Sequence, residues 1–273
     1  MSKIYPVRTL SKRESQLLSA FAAAGQSVFT IEDARRVLDQ DEDDAAQILY
    51  RLVNKQWLQR LERGKYSVIP LEAGPEVRWA EHEYVMASVL VSPYYLTYAT
   101  ALHYYGYSER LPRQVWIATT RRKHSVTVGD LNFRFVYLRE HKFFGFSTIR
   151  IAEQPVQMAE REKAIVDGFD HTKYCGGVLE PAKGLWFGRD ELDFDRLIAY
   201  SQQLDNRAAV RRLGFWLDRL RLVDEALLLR LRSPEDRNYN KLDPAGLDDG
   251  PRDARWRLII NIPEHQLLEW REH

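Results

Sequence analysis

The chain has 273 residues, 45% of them hydrophobic and 29% charged, with 14 Gly, 11 Pro and a formal net charge of +1. That length suggests two domains, and the composition is that of a globular protein with enough apolar side chains to bury real cores. A single cysteine, Cys175, rules out an internal disulfide and a Cys-based zinc site; the near-neutral charge leaves local patches, rather than overall basicity, to make any nucleic-acid contact.

The opening MSKIYPVRTLSKRES has no apolar core of the secretory kind, and no stretch approaches 18 uncharged apolar residues. The expected location is cytoplasmic, with no membrane partner. Residues 9–24 carry Leu10, Leu17, Leu18 and Phe21 at roughly helical spacing, with Gly25 in a terminating position. A short strand is expected at SVF, and Thr30 with Asp33 resembles a capping box for a second helix over 31–39. After a turn at QDE, a third helix buries Ala45, Ile48, Leu49, Leu52 and Val53 on one face and turns Asp44, Gln47, Tyr50, Arg51, Asn54 and Lys55 outward. WLQRLERGKYSVIP then reads as two strands around a Glu62-Arg63-Gly64 hairpin. Helix, strand, helix, turn, helix and a two-stranded wing define a winged helix-turn-helix over residues 1–72.

Residues 73–80 read as a linker, and 81–273 as a second domain of α+β type, its strands clustered rather than alternating with helices. Helices are expected at EHEYVMASVL, YYLTYATALHYYGY, QMAEREKAIVDGF and about 190–233. Strands are expected at VWIATT, LNFRFVYL, FSTIRIA and RLIINI. HTKYCGGVLEPAKG reads as a polar, glycine-containing connection.

The first domain has the chemistry for duplex DNA. Gln47 suits adenine and Arg51 guanine or phosphate, with Tyr50, Asn54 and Lys55 on the same helix face. Arg60, Arg63 and Lys65 on the wing, and Arg35 and Arg36 on the second helix, suit flanking phosphates. Against this, Asp41 to Asp44 favour the positive end of the third helix but repel phosphate, and the alternative use of such a module is protein contact. Arg121, Arg122 and Lys123 form a possible second basic patch. The arginines at 207, 211, 212, 219 and 221 read as the stripe of a surface helix.

Catalytic signals are thin. There is no Walker loop, GxGxxG, HExxH or GxSxG, and the seven histidines lack ligand spacing. Asp193 and Asp195 fit a helix start better than a nucleotidyltransferase site, and Cys175 has no activating base in view. The expectation is a protein that is not an enzyme and holds neither metal nor cofactor.

Several segments, in order, resemble the AbiEi-type antitoxins of type IV toxin–antitoxin systems. They are RLVNKQWLQRLERGKYSVIP (51–70), YYLTYATALHYYGYSERLP (94–112), VWIATTRRK (115–123), EREKAIVDGF (160–169), with Glu162, Lys163 and Asp167, and RRLGFWLD (211–218). The resemblance implies a phage-defence transcriptional autorepressor that binds inverted repeats in its own promoter. It also implies a C-terminal antitoxin domain that counters a nucleotidyltransferase-like toxin. The acidic DEDD entry to the third helix departs from that pattern. A stand-alone regulator without a toxin, or a winged-helix protein–protein module, are the alternatives. The EREKAIVDGF helix has a purely structural reading, with Glu162 and Asp167 in internal polar links to Arg or Tyr.

Overall fold

The computed structural model describes residues 9–74, 81–232 and 238–271, so most of the expected linker (75–80) lies outside the described residues. The chain divides into two compact units. Unit 1 holds the residues up to Tyr94 together with Lys123–Phe133 and Thr148–Gln157; unit 2 holds Tyr95–Arg122, Arg134–Ser147 and everything from Met158.

In unit 1, Ser11 starts α1 (Lys12–Ala23) through a reciprocal cap. Its hydroxyl accepts from the Glu14 N–H, while the Glu14 carboxylate accepts from the Ser11 N–H at 2.7 Å. The strand β1 (Val28–Thr30) passes directly into α2 (Ile31–Leu38), and Thr30 and Asp33 form a second capping box there. Asp39, at φ 52°, ends α2, and Asp41 caps α3 (Glu42–Asn54) by accepting from the Asp44 N–H at 2.9 Å. Next come β2 (Leu58–Glu62) and β3 (Lys65–Val68), an antiparallel pair turned at Gly64. Gly64 adopts φ +73°, its carbonyl accepts from the Ile31 N–H at 2.8 Å, and a Cβ there would sit 3.3 Å from Ile31. The sheet order is β1-β3-β2, with Phe29 opposite Tyr66. Leu17, Phe21, Phe29, Ile48, Leu49 and Leu52 fill the space between helices and sheet, Phe21 stacking on Phe29 at 4.1 Å. The helix α4 (Glu83–Leu90) follows and packs on β1, β2 and β3.

The chain continues through β4 (Tyr95–Leu96), α5 (Ala99–Tyr104), β5 (Val115–Thr119), β6 (Val126–Val128), β7 (Leu131–Tyr137), β8 (Phe146–Ile151) and β9 (Gln154–Ala159). These strands form a six-stranded sheet of order β6-β7-β5-β4-β9-β8, in which β4 runs antiparallel to β5 and parallel to β9. The helices α6 (Arg161–Asp170), α7 (Leu179–Phe187), α8 (Phe194–Gln203), α9 (Arg207–Leu220) and α10 (Glu225–Leu231) come next. Three two-residue strands, β10 (Asn240–Lys241), β11 (Arg252–Asp253) and β12 (Leu258–Ile259), make a small mixed sheet of order β10-β12-β11 before α11 (Glu264–Leu268). The fold is α+β with mixed sheets.

Four expectations need correction. The run QMA belongs to β9, not to the helix after it, because Met158 pairs with Leu96 in the sheet and α6 starts only at Arg161. Tyr95 and Leu96 are strand rather than helix for the same reason. The expected polar connection runs into the first two turns of α7, whose Pro181 sits in the first turn, where a missing N–H costs nothing. Finally, α9 is not a surface helix: Arg211 and Arg212 are buried. Arg212 donates to the carbonyls of Lys241, Leu242 and Phe169, and Arg211 to Asn238 and Asn240.

Candidate nucleic-acid interface

The amphipathic period of α3 decides what it shows to solvent. Ala45, Ile48, Leu49 and Leu52 are buried. Gln47, Tyr50, Arg51 and Asn54, at i, i+3, i+4 and i+7, make one exposed polar stripe, and Tyr50 is 68% exposed. The carboxylates at the head of the helix have a local cause. Asp41 is the cap, and Glu42, Asp43 and Asp44 occupy the first turn, next to the partial positive charge of the unpaired N–H groups.

Lys55 differs from its neighbours on that stripe. Its ammonium sits 2.7 and 2.9 Å from the two carboxylate oxygens of Glu14, which is fully buried, and the Arg51 Nε lies 3.7 Å away. Burial alone would raise the Glu14 pKa; the hydrogen bonds from Lys55 and the Ser11 cap outweigh it and hold the carboxyl below its ordinary value. Lys55 is thus the counter-ion of a buried glutamate.

The hairpin divides in the same way. Glu62 accepts from Lys65 at 2.6 Å and from Lys123 at 2.8 Å, and Lys65 also donates to the Leu90 carbonyl. Burial raises the Glu62 pKa, and the two lysines more than reverse that. Arg60 and Arg63 are left exposed: Arg60 donates to the Glu62 carbonyl at 3.3 Å, and Arg63 makes no ion pair among the described residues. On α2, Arg35 pairs with Glu32 at 2.9 Å, while Arg36 lies 3.8 Å from Glu32 and 3.7 Å from Asp33. Of the possible second basic patch, Lys123 is held by Glu62. Arg121 and Arg122 are exposed, Arg122 lying over the Tyr137 ring at 5.1 Å.

Glu162, Lys163 and Asp167 of the EREKAIVDGF segment form a different kind of cluster in unit 2. Lys163 is wholly buried, with its ammonium 3.0 Å from the Tyr95 hydroxyl, against the Asp167 carboxylate and 4.6 Å above the Phe144 ring. Asp167 also accepts from Thr97 at 2.7 Å and from Tyr95 at 3.1 Å. Glu162 accepts from the Asp193 N–H at 2.9 Å. These bonds tie α6 to β4 and to the start of α8, and burial pushes the Tyr95 phenol well up. Asp193 caps α8 and Asp195 lies in its first turn. Cys175 is buried, which raises its thiol pKa and keeps it protonated. Among the described residues no three His, Cys, Asp or Glu converge to hold a metal, and no helix is long and apolar enough to cross a membrane.

No family model matches the chain, and no curated protein matches it. Among solved structures it is similar to the RV2827C protein from Mycobacterium tuberculosis. The TM-score is 0.64 at 16% identity, with 98% of each chain covered. At that identity the likeness is one of fold, running almost the full length of both chains.

Proposed function

We propose that the domain expected over residues 1–72 is a winged helix-turn-helix that binds duplex DNA, and that the chain is a transcriptional autorepressor serving as the antitoxin of a type IV toxin–antitoxin system. The observation that carries this reading is the exposed Gln47-Tyr50-Arg51-Asn54 stripe on α3, followed in the chain by a hairpin with exposed Arg60 and Arg63. A helix with exposed amide and guanidinium groups matches base edges in a major groove, and arginines on a hairpin match the phosphates beside it. The antitoxin role rests on the resemblance of the EREKAIVDGF segment and its neighbours; the partner it implies is a nucleotidyltransferase-like toxin. No cofactor enters the reading.

The test is a gel shift on the upstream intergenic DNA with the full chain and its Gln47→Ala/Arg51→Ala variant. Both side chains are exposed, and Lys55 stays to pair with Glu14, so the variant keeps the fold. Loss of two base contacts is expected to weaken specific binding by about 2–6 kcal/mol, from about 1–3 per contact, while leaving the weak non-specific shift. Equal shifts for variant and parent would remove α3 as the reading helix. No shift with either protein, beside a stable complex with the adjacent gene product, would favour the protein-contact use of the module.

A further inference from the structure

Unit 2 contains a concavity of about 500 Å³ between the segment joining α5 to β5 and the turn after α6. Its floor is aromatic: Trp116 of β5 and Tyr174 are both half-buried, their rings 4.5 Å apart and inclined at 38°. Its walls carry Arg110, Arg113 and Lys173 and no carboxylate. Glu180 is the nearest acid to Arg110, 3.8 Å from its Nε, but it also faces Lys183 at 3.6 Å and accepts from Ser108 at 2.5 Å. Neither Arg113 nor Lys173 makes an ion pair among the described residues; the Lys173 ammonium lies over the Tyr174 ring, at 4.8 Å. In a chain of 40 basic and 39 acidic residues, three cations lining one concavity with no acid among them are a local excess. Two cations without an acidic partner among the described residues, Arg113 and Lys173, beside Arg110, which shares Glu180 with Lys183 and donates to the Gly176 carbonyl, surround a half-exposed aromatic floor and complement a ligand with a flat ring system and a negative group. The volume suits one such molecule.

We propose that this concavity binds a nucleoside phosphate, its base on Trp116 and Tyr174 and its phosphate among Arg110, Arg113 and Lys173. The ligand is either a free nucleotide or the 5′-phosphorylated end of an oligoribonucleotide. The site is independent of the DNA interface and stands whether or not that reading does.

Titration calorimetry on the full chain tests it with AMP, GMP, ribose 5-phosphate, inorganic phosphate and a 5′-phosphorylated tetraribonucleotide. The nucleotides are expected to bind saturably, at least about tenfold more tightly than ribose 5-phosphate or phosphate, the share that stacking on two rings supplies. The exposed double variant Arg113→Gln/Lys173→Gln lowers every affinity, and Trp116→Leu removes the preference for a base. An equal affinity for AMP and the tetranucleotide identifies the free nucleotide, and a stronger one for the tetranucleotide the strand end. The tetranucleotide is also titrated into the Gln47→Ala/Arg51→Ala variant, so that binding at α3 is not counted. The proposal fails if no nucleotide binds at millimolar concentration, if phosphate binds as well as AMP, or if Arg113→Gln/Lys173→Gln binds like the parent.

Discussion

Glu14 and Lys55 show how a side chain that looks free for a ligand can be committed to the fold. A carboxylate with no exposed surface needs a counter-charge, and Lys55 supplies it from 41 residues away. Lys55→Ala is therefore expected to cost about 1–3 kcal/mol in urea unfolding, since Arg51 at 3.7 Å replaces only part of the contact. Arg51→Ala costs far less. The pH dependence follows from the same pairs. Glu14 and Glu62 have folded-state pKa values below those of the unfolded chain. Their contribution to stability is complete above the unfolded value and is lost as pH falls through the folded one. Thermal melts are expected to move down between about pH 5 and about pH 3, and Glu14→Gln/Glu62→Gln reduces that acid sensitivity. A melt in which parent and double variant lose stability equally over that range would exclude the two glutamates as its source.

Elements whose ends are fixed by neighbouring residues were legible in the sequence. The Thr30–Asp33 box, the apolar period of α3 and the Gly64 turn each depend on residues within a few positions, and each is present. Elements set by distant partners were not. Nothing in YYLT or QPVQMA announces that Leu96 and Met158 pair, and no local rule buries Arg211 and Arg212 among carbonyls 27 to 43 residues away. The candidate interface divides on the same line. The exposure of Gln47, Tyr50, Arg51 and Asn54 follows from helix periodicity and the Lys65–Glu62 pair from the hairpin turn, whereas the capture of Lys55 by Glu14 and of Lys123 by Glu62 needs tertiary contacts. Two substitutions check the local terms. Thr30→Ala removes the α2 cap and is expected to cost about 1 kcal/mol by denaturant melt. Gly64→Ala forces a Cβ into φ +73° against Ile31 and costs about 1 kcal/mol or more.

At the scale of the molecule, a near-neutral chain has no long-range attraction for DNA, so whatever grip it has depends on a few exposed groups and on salt. If Arg60 and Arg63 touch phosphate, Arg63→Ala should weaken binding about equally on specific and random DNA and flatten the salt dependence by about one ion. Unit 1 extends beyond residue 74, since α4 covers β1, β2 and β3 and Leu90 supplies a carbonyl to Lys65. A fragment of residues 9–74 is therefore expected to melt well below the full chain, and equal melting temperatures would show that the helices and hairpin need none of it. Because unit 1 draws on three separate stretches, the last of them Thr148–Gln157, a ribosome must translate through Gln157 before that unit has all its parts. Chains released early would carry α3 without its complete support. Under the DNA-binding proposal, prematurely terminated products would then be poor competitors for DNA, and occupancy would track finished protein.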